Sequence, residues 1–277
     1  MNGKQARVDI VSARPVIDVS LATGGIHLEP SVSLQGKTAL ITGGAARLGA
    51  TTARHLHAAG AAVVIHYRRS AAAAEALRDE LLAIRPHSAT IVQGDLNTPD
   101  CWPRLIETAV AFDGGLDILI NNASSYYPTP VGEATTAQWD DLFGSNARAP
   151  FFLAQAAAAE LRRRRGCIVN MVDIHAERPN ADHPIYCMAK AANAMMVKAL
   201  ARDLAPEVRV NGIAPGAALW PDGYMGDAAK QEILKRIPLG RPAGADQIAQ
   251  AVMFMVTGPD YITGQILAVD GGRSVQQ

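Results

Sequence analysis

Short runs of consecutive apolar residues recur along this chain, and each is followed by a helix-forming stretch. Residues 37–42 (KTALIT), 61–67 (AAVVIHY), 89–95 (ATIVQGD), 116–124 (LDILINNAS) and 167–173 (CIVNMVD) are apolar over most of their length rather than alternating. A strand covered on one face alternates, whereas a parallel strand covered on both faces does not. Helix formers follow as far as Ala59, where Gly60 is a stop, then over about residues 71–84, 102–112 and 138–165. After a further helix carrying Tyr186 and Lys190, residues 208–216 (VRVNGIAPG) and 261–272 (YITGQILAVDGG) close the pattern. Strand and helix alternate at least six times with short connections, which predicts one doubly wound α/β domain.

That domain, of the Rossmann type with a mostly parallel sheet of about seven strands, is expected to span residues 36–277. Residues 1–35 hold no sustained period and several turn formers, among them Gly24, Gly25 and Pro30, and are expected to form a poorly ordered extension. The 26 basic and 26 acidic residues cancel, so charge gives no argument for a nucleic-acid or anionic-membrane partner. The one basic run, from Arg162 to Arg165, reads as a solvated helix C-terminus. No apolar run is long enough to span a membrane. Cys101, Cys167 and Cys187 are scattered without a C-x-x-C, which fits a reducing compartment, and Cys187 reads as a small apolar filler. The seven histidines show no metal-ligand spacing. The N-terminus lacks a signal layout, and Asp9 and Asp18 speak against a transit peptide, so the cytoplasm is the expected compartment.

The first strand runs into TGGAARLG, a Gly-rich turn at the start of a helix. Gly43, Arg47, Leu48 and Gly49 there let backbone approach a pyrophosphate at the helix N-terminus. The end of the second strand selects the cofactor. An NAD site wants an acid for the ribose 2′-hydroxyl; this chain has Tyr67, Arg68, Arg69 and Ser70, which suit a 2′-phosphate, so NADPH is expected. Asp95 and Leu96, then Asn122, Ala123 and Ser124, then Asp173, then Pro215 and Gly216, fall at the same edge of the predicted sheet. Tyr186 and Lys190, four apart on one helix face, form a proton-donating pair in which the ammonium is expected to lower the phenol pKa.

Taken in order, TG-x5-G from Thr42, NNA from Asn121, Y-x3-K from Tyr186 and PG at Pro215 resemble the short-chain dehydrogenase/reductase family from Lys37 to the C-terminus. The family's Asn-Ser-Tyr-Lys tetrad maps Asn146, Tyr186 and Lys190, but Asp173 stands in the serine position. That replacement is similar to the pteridine reductase branch, as are Arg47, residues 66–70 (HYRRS), 121–130 (NNASSYYPTP), 170–173 (NMVD) and 186–190 (YCMAK). The resemblance implies NADPH-dependent reduction of a small-molecule pterin or folate substrate such as dihydrobiopterin, dihydrofolate or dihydromonapterin. It places Asp173, Tyr186, Lys190 and Asn146 in catalysis, with Tyr186 and Lys190 also touching the cofactor. Ser124, Tyr126, Asp173 and Tyr186 would meet the substrate, and Tyr126 would sandwich the pterin ring. It also implies a homotetramer. Trp220, Tyr224 and Met225 are expected as pocket lining, and His175 and His183 as polar loop groups. The rival readings are a carbonyl reductase of the same family and a non-catalytic NADP-sensing protein.

Overall fold

The computed structural model describes residues 33–219 and 226–275. Seven strands make one sheet: β1 (Thr38–Ile41), β2 (Ala62–Tyr67), β3 (Ala89–Gln93), β4 (Ile118–Asn121), β5 (Cys167–Met171), β6 (Arg209–Pro215) and β7 (Ile266–Val269). The helices are α1 (Arg47–Ala58), α2 (Ala71–Ile84), α3 (Cys101–Asp113), α4 (Thr136–Phe143), α5 (Ala149–Arg164), α6 (Pro184–Asp203), α7 (Asp227–Leu234) and α8 (Ala245–Thr257). The strand order is β3-β2-β1-β4-β5-β6-β7, and every neighbouring pair is parallel. The expected doubly wound α/β sheet is present. Its order reverses between β1 and β4, the place where such sheets open a crevice at their C-terminal edge.

The unbroken apolar strands follow from the two layers of helix. Ala39 and Ile41 pack with Leu56 of α1, Leu77 of α2 and Val252 of α8. Leu40, between them, packs on the opposite layer with Leu105 of α3, Leu153 of α5 and Leu200 of α6. On that second face Val64, Leu40, Leu119, Ile168 and Val210 lie side by side across five strands, all fully buried. Truncating any one to alanine costs about 2–4 kcal/mol through lost contacts and a cavity.

Three sequence expectations change. Leu34, assigned to the extension, is buried and donates its N–H to Ala59 O at 2.8 Å, so the packed chain begins a few residues earlier. Residues 1–32 of that extension lie outside the described residues. The helical span expected over residues 138–165 is two helices joined by a π turn, Gly144–Arg148, because this turn holds an extra residue. The arginine run is not simply solvated. Arg163 pairs with Glu160, Arg162 donates to Asp203 O, and Arg164 reaches both oxygens of Asp117 at 2.8 and 3.0 Å. Asp117 is 2% exposed and also accepts from Lys37 Nζ and Thr38 N. Burial alone would raise its carboxyl pKa; Arg164, the Thr38 amide and Lys37 outweigh it and hold the group below its usual range.

All three cysteines are free and buried. Among the described residues, no helix is long and apolar enough to cross a membrane.

Candidate active site

Along the C-terminal edge of the sheet lies a cavity of about 810 Å³. Its floor at one end is the Gly-rich turn after β1. Gly43 has φ +60°, and a Cβ on it would sit 3.1 Å from Ala123 Cα. A Cβ on Gly49 would collide with the Gly43 carbonyl and Asn122 Nδ2. Asn122 Nδ2 donates to Thr42 O and Gly43 O at 2.8 and 3.1 Å, while Thr42 Oγ1 accepts from the Asn122 and Ala123 amides. Helix α1 opens on this turn with no side-chain cap and no acid in its first turn. Such an uncapped N-terminus, with Arg47 at its first position, favours an anion. Arg47 itself has φ +52° and donates through Nη2 to Leu219 O at 3.4 Å. The cradle fits a dinucleotide pyrophosphate.

A residue that sequence reasoning placed only within a matching string proves central here. His66 is 2% exposed; its Nδ1 accepts from Gly43 N at 3.1 Å and its Nε2 bonds Gly94 O at 3.1 Å, while its carbonyl accepts from Gly44 N. Burial, the largest cause, pulls its pKa down to about 4 against the bond to Gly94 O, so the ring is neutral with the proton on Nε2. An isolated polar residue in an apolar strand was the available signal.

At the end of β2 the four expected residues separate. Arg68 lines the cavity, 3.8 Å from Asp95 and 4.0 Å from Asp141. Tyr67, Arg69 and Ser70 lie off its wall. Asp95 also lines the cavity and accepts the Asn97 amide at 3.0 Å; buried Leu96 offers its carbonyl to Trp102 Nε1. Pro215 and Gly216 line the cavity as well.

Further along, Tyr186 donates to Asp173 Oδ2 at 2.7 Å, and Asp173 Oδ1 accepts from His175 N at 2.8 Å. Lys190 is 2% exposed, donates to Met171 O at 2.7 Å, and holds its ammonium 5.7 Å from the Tyr186 ring centroid. The expected lowering of the phenol pKa does not occur. Burial and then the Asp173 carboxylate raise it well above its ordinary value, because the carboxylate touches the hydroxyl while the ammonium lies toward the ring. The shift falls on the lysine instead: burial pulls Lys190 down to about 8, with Asp173 opposing.

Asn146 does not line the cavity. It is fully buried in the π turn, where Oδ1 accepts from Ser124 Oγ at 2.7 Å and Nδ2 donates to Ser125 O and Leu142 O. Its influence on the site therefore runs through Ser124, which does line the cavity. Behind it runs a chain of amides: Asn121 donates to Asn170, Asn170 to Asn193, and Asn193 to Asn146 O at 2.7 Å. Nothing in the spacing of these asparagines along the sequence announces that chain.

Tyr126 lines the cavity with its ring stacked on His183 at 4.6 Å and edge-on to Tyr186 at 4.8 Å, and its hydroxyl accepts from Asn180 Nδ2. His183, expected as a polar loop group, is buried as a shelf beneath that ring. His175 lines the cavity, with Nδ1 bonded to Arg178 O. Trp220, Tyr224 and Met225 lie outside the described residues.

Set beside known proteins, the chain has consistent kin. A family model described as enoyl-(acyl carrier protein) reductase matches residues 44–274. Pteridine reductase 1 of Leishmania tarentolae is 38% identical, over 86% of this chain and 96% of its own length. A 3-oxoacyl-(acyl-carrier-protein) reductase of Staphylococcus aureus is 32% identical over 85% of this chain and 97% of its own. A 3beta-hydroxysteroid dehydrogenase of Eggerthella lenta is 31% identical over 87% and 95%. With the parallel sheet, the Gly-rich cradle and the Tyr186–Lys190 pair on one edge, these likenesses show that the chain belongs to the short-chain dehydrogenase/reductase family of oxidoreductases and is similar to pteridine reductase 1.

Proposed function

We propose that this oxidoreductase uses NADPH to reduce dihydropteridines to their tetrahydro forms, with dihydrobiopterin, dihydrofolate and dihydromonapterin as the candidate substrates. The observation that carries the reading is the 2.7 Å bond between Tyr186 and Asp173. A carbonyl substrate needs hydrogen-bond donors, and an ionised carboxylate is acceptor-only. A pterin edge presents amide and amino N–H groups, which a carboxylate can accept. Asp173 in place of a hydroxyl thus favours the pterin over the ketone. The 38% identity to a protein named pteridine reductase 1 supports the same choice.

When bound, the reduced nicotinamide supplies a hydride to a ring carbon of the substrate. Residues of the Gly-rich turn and the start of α1 would hold the pyrophosphate, and Arg47 and Arg68 are the cavity-lining cations suited to the 2′-phosphate. Tyr186 keeps its proton through neutral pH and donates it to the adjacent ring nitrogen, so the C=N bond becomes CH–NH. Asp173 holds the phenol oxygen in place, and the proton turns from Asp173 Oδ2 to the ring nitrogen for the step. Lys190, with its pKa pulled down to about 8, holds its ammonium behind the Tyr186 ring through its bond to Met171 O. Tyr126, braced by His183, offers a flat ring to a flat substrate. Half-exposed Phe151 on α5 and Leu267 on β7 support the homotetramer, which light scattering would test.

The test is NADPH oxidation with dihydrobiopterin and dihydrofolate against a panel of ketones, repeated with Tyr186→Phe. Pterin turnover that is lost in a variant still binding NADPH supports the proposal. Turnover of ketones alone returns the chain to the carbonyl reductases.

A further inference from the structure

Two arginines at the Tyr126 end of the cavity have no role in that chemistry. Arg236, two residues beyond α7, and Arg273, in the turn after β7, both line it. Arg273 lies within electrostatic reach of Asp173, Tyr126 and Arg236, so it faces the reacting end rather than the pyrophosphate cradle on α1. Among the described residues, neither guanidinium makes an ion pair or a side-chain hydrogen bond. The neighbouring carboxylates are already engaged. Asp270 accepts the Gly272 and Ser274 amides at 2.9 and 2.6 Å, and Asp173 accepts from Tyr186 and His175 N.

This leaves an excess of positive charge. Arg236, Arg273 and the Lys190 ammonium line the cavity along with Asp173, while Asp270 is off its wall though within electrostatic reach of Arg273. Arg273 is only partly exposed; burial pulls its pKa down, Asp173 opposes that, and the nearby Arg236 adds to the lowering. A pteridine ring is neutral and gives the arginines nothing to bind. A carboxylate on the ring's side chain would, since a guanidinium fork matches a carboxylate with two parallel hydrogen bonds.

We propose that Arg236 and Arg273 form a carboxylate-binding end of the substrate cavity, which selects dihydropteridines carrying an acidic side chain, such as dihydrofolate, over those with a neutral chain, such as dihydrobiopterin. The proposal rests on the pteridine reading of the site and adds its specificity.

The experiment measures kcat/KM for dihydrofolate and dihydrobiopterin with NADPH, and the affinity of dihydrofolate for the NADP-bound enzyme by calorimetry. It uses wild type, Arg236→Gln, Arg273→Gln and Arg273→Lys. The preference for dihydrofolate falls about tenfold in each Gln variant, a typical effect for one charge-assisted contact near a surface, mostly through KM. Lys at 273 retains part of it, and raised salt erodes it in wild type. Arg236 is exposed at the rim, so its variant reads the effect without disturbing the core. Equal loss for both substrates, or a preference that none of the variants moves, overturns the proposal. Arginine-dependent binding of dihydrofolate without its reduction upholds the anion site and overturns the reductase reading. No binding and no turnover of either pteridine overturns both.

Discussion

Asp173 is pinned at both oxygens: Oδ2 accepts from the Tyr186 hydroxyl at 2.7 Å and Oδ1 from the His175 amide at 2.8 Å. The carboxylate cannot turn without breaking one of the two, so the phenol is aimed by a group on the strand-β5 side of the cavity. The lysine four residues along α6 does not aim it. Burial first, and then this acidic neighbour, keeps the tyrosine protonated.

Asp173→Asn keeps the shape of the side chain and removes its charge. The Tyr186 pKa was raised by burial and then by that charge, so it moves down in the variant. The alkaline limb of kcat and the tyrosinate absorbance titration both shift to lower pH, and turnover of the proposed pterin substrate falls about 10²-fold. An alkaline limb that stays in place would show that Asp173 does not control the phenol.

His66 gives the fold an acid sensitivity. Its pKa is about 4 in the folded chain against an ordinary 6.5, so below pH 6.5 the unfolded chain binds the proton that the folded one refuses. The stability from neutral His66 is whole above pH 6.5 and drains away as pH falls toward 4. Urea unfolding at pH 7 and pH 5 should differ by about 2 kcal/mol from this residue. In His66→Gln that part of the difference disappears, although the variant is weaker at both pH values.

Asn193→Leu cuts the amide chain behind the π turn. It removes the side-chain donor to Asn146 O and leaves one buried Asn170 N–H without its acceptor, at a cost of about 2–3 kcal/mol. Since Asn146 holds Ser124 at the cavity wall, kcat falls as well. Denaturation and steady-state kinetics read the two effects separately; a stable variant with lowered kcat would mean that Asn193 only positions.

Gly49→Ala puts a methyl group against the Gly43 carbonyl and Asn122. The turn must give way, by roughly 1–3 kcal/mol, and binding of the proposed NADPH weakens by about 10- to 100-fold in calorimetry. Gly36→Ala is the control: Gly36, unlike Gly49, has positive φ, and a Cβ there meets nothing within 4 Å. It strains the chain and leaves the cradle alone.

The sheet was legible because residues such as Leu40 and Ile41 are both buried, on opposite layers, and such strands read as continuous apolar runs. The cavity edge was legible for the same reason, since each run ends where a strand ends. What escaped the sequence were relations between elements. Tyr186 and Lys190 are four apart and invite pairing; Asp173, 13 residues earlier on another element, takes the hydroxyl instead. The π turn at Gly144–Arg148 hid within an ordinary helical pattern, because one extra residue leaves no mark in composition. Arg69 and Ser70 matched a phosphate-binding string, yet the strand's pleat and the turn after it bring only Arg68 to the wall. Arg236 and Arg273 come from the far end of the chain and carry no motif.

The Asp117 cluster has a consequence of its own. It clamps the start of β4 to Lys37 at the start of β1 and to Arg164 at the end of α5, a full strand length from the ligand edge. Three strand residues, a span of roughly 13 Å, separate it from Asn121 and the cavity beyond. The ionic clamp and the ligand site thus occupy opposite rims of one sheet. An engineer or an evolving lineage can tighten or loosen the ionic rim and leave turnover as it was, and can redraw the ligand rim while the other keeps the strands in register.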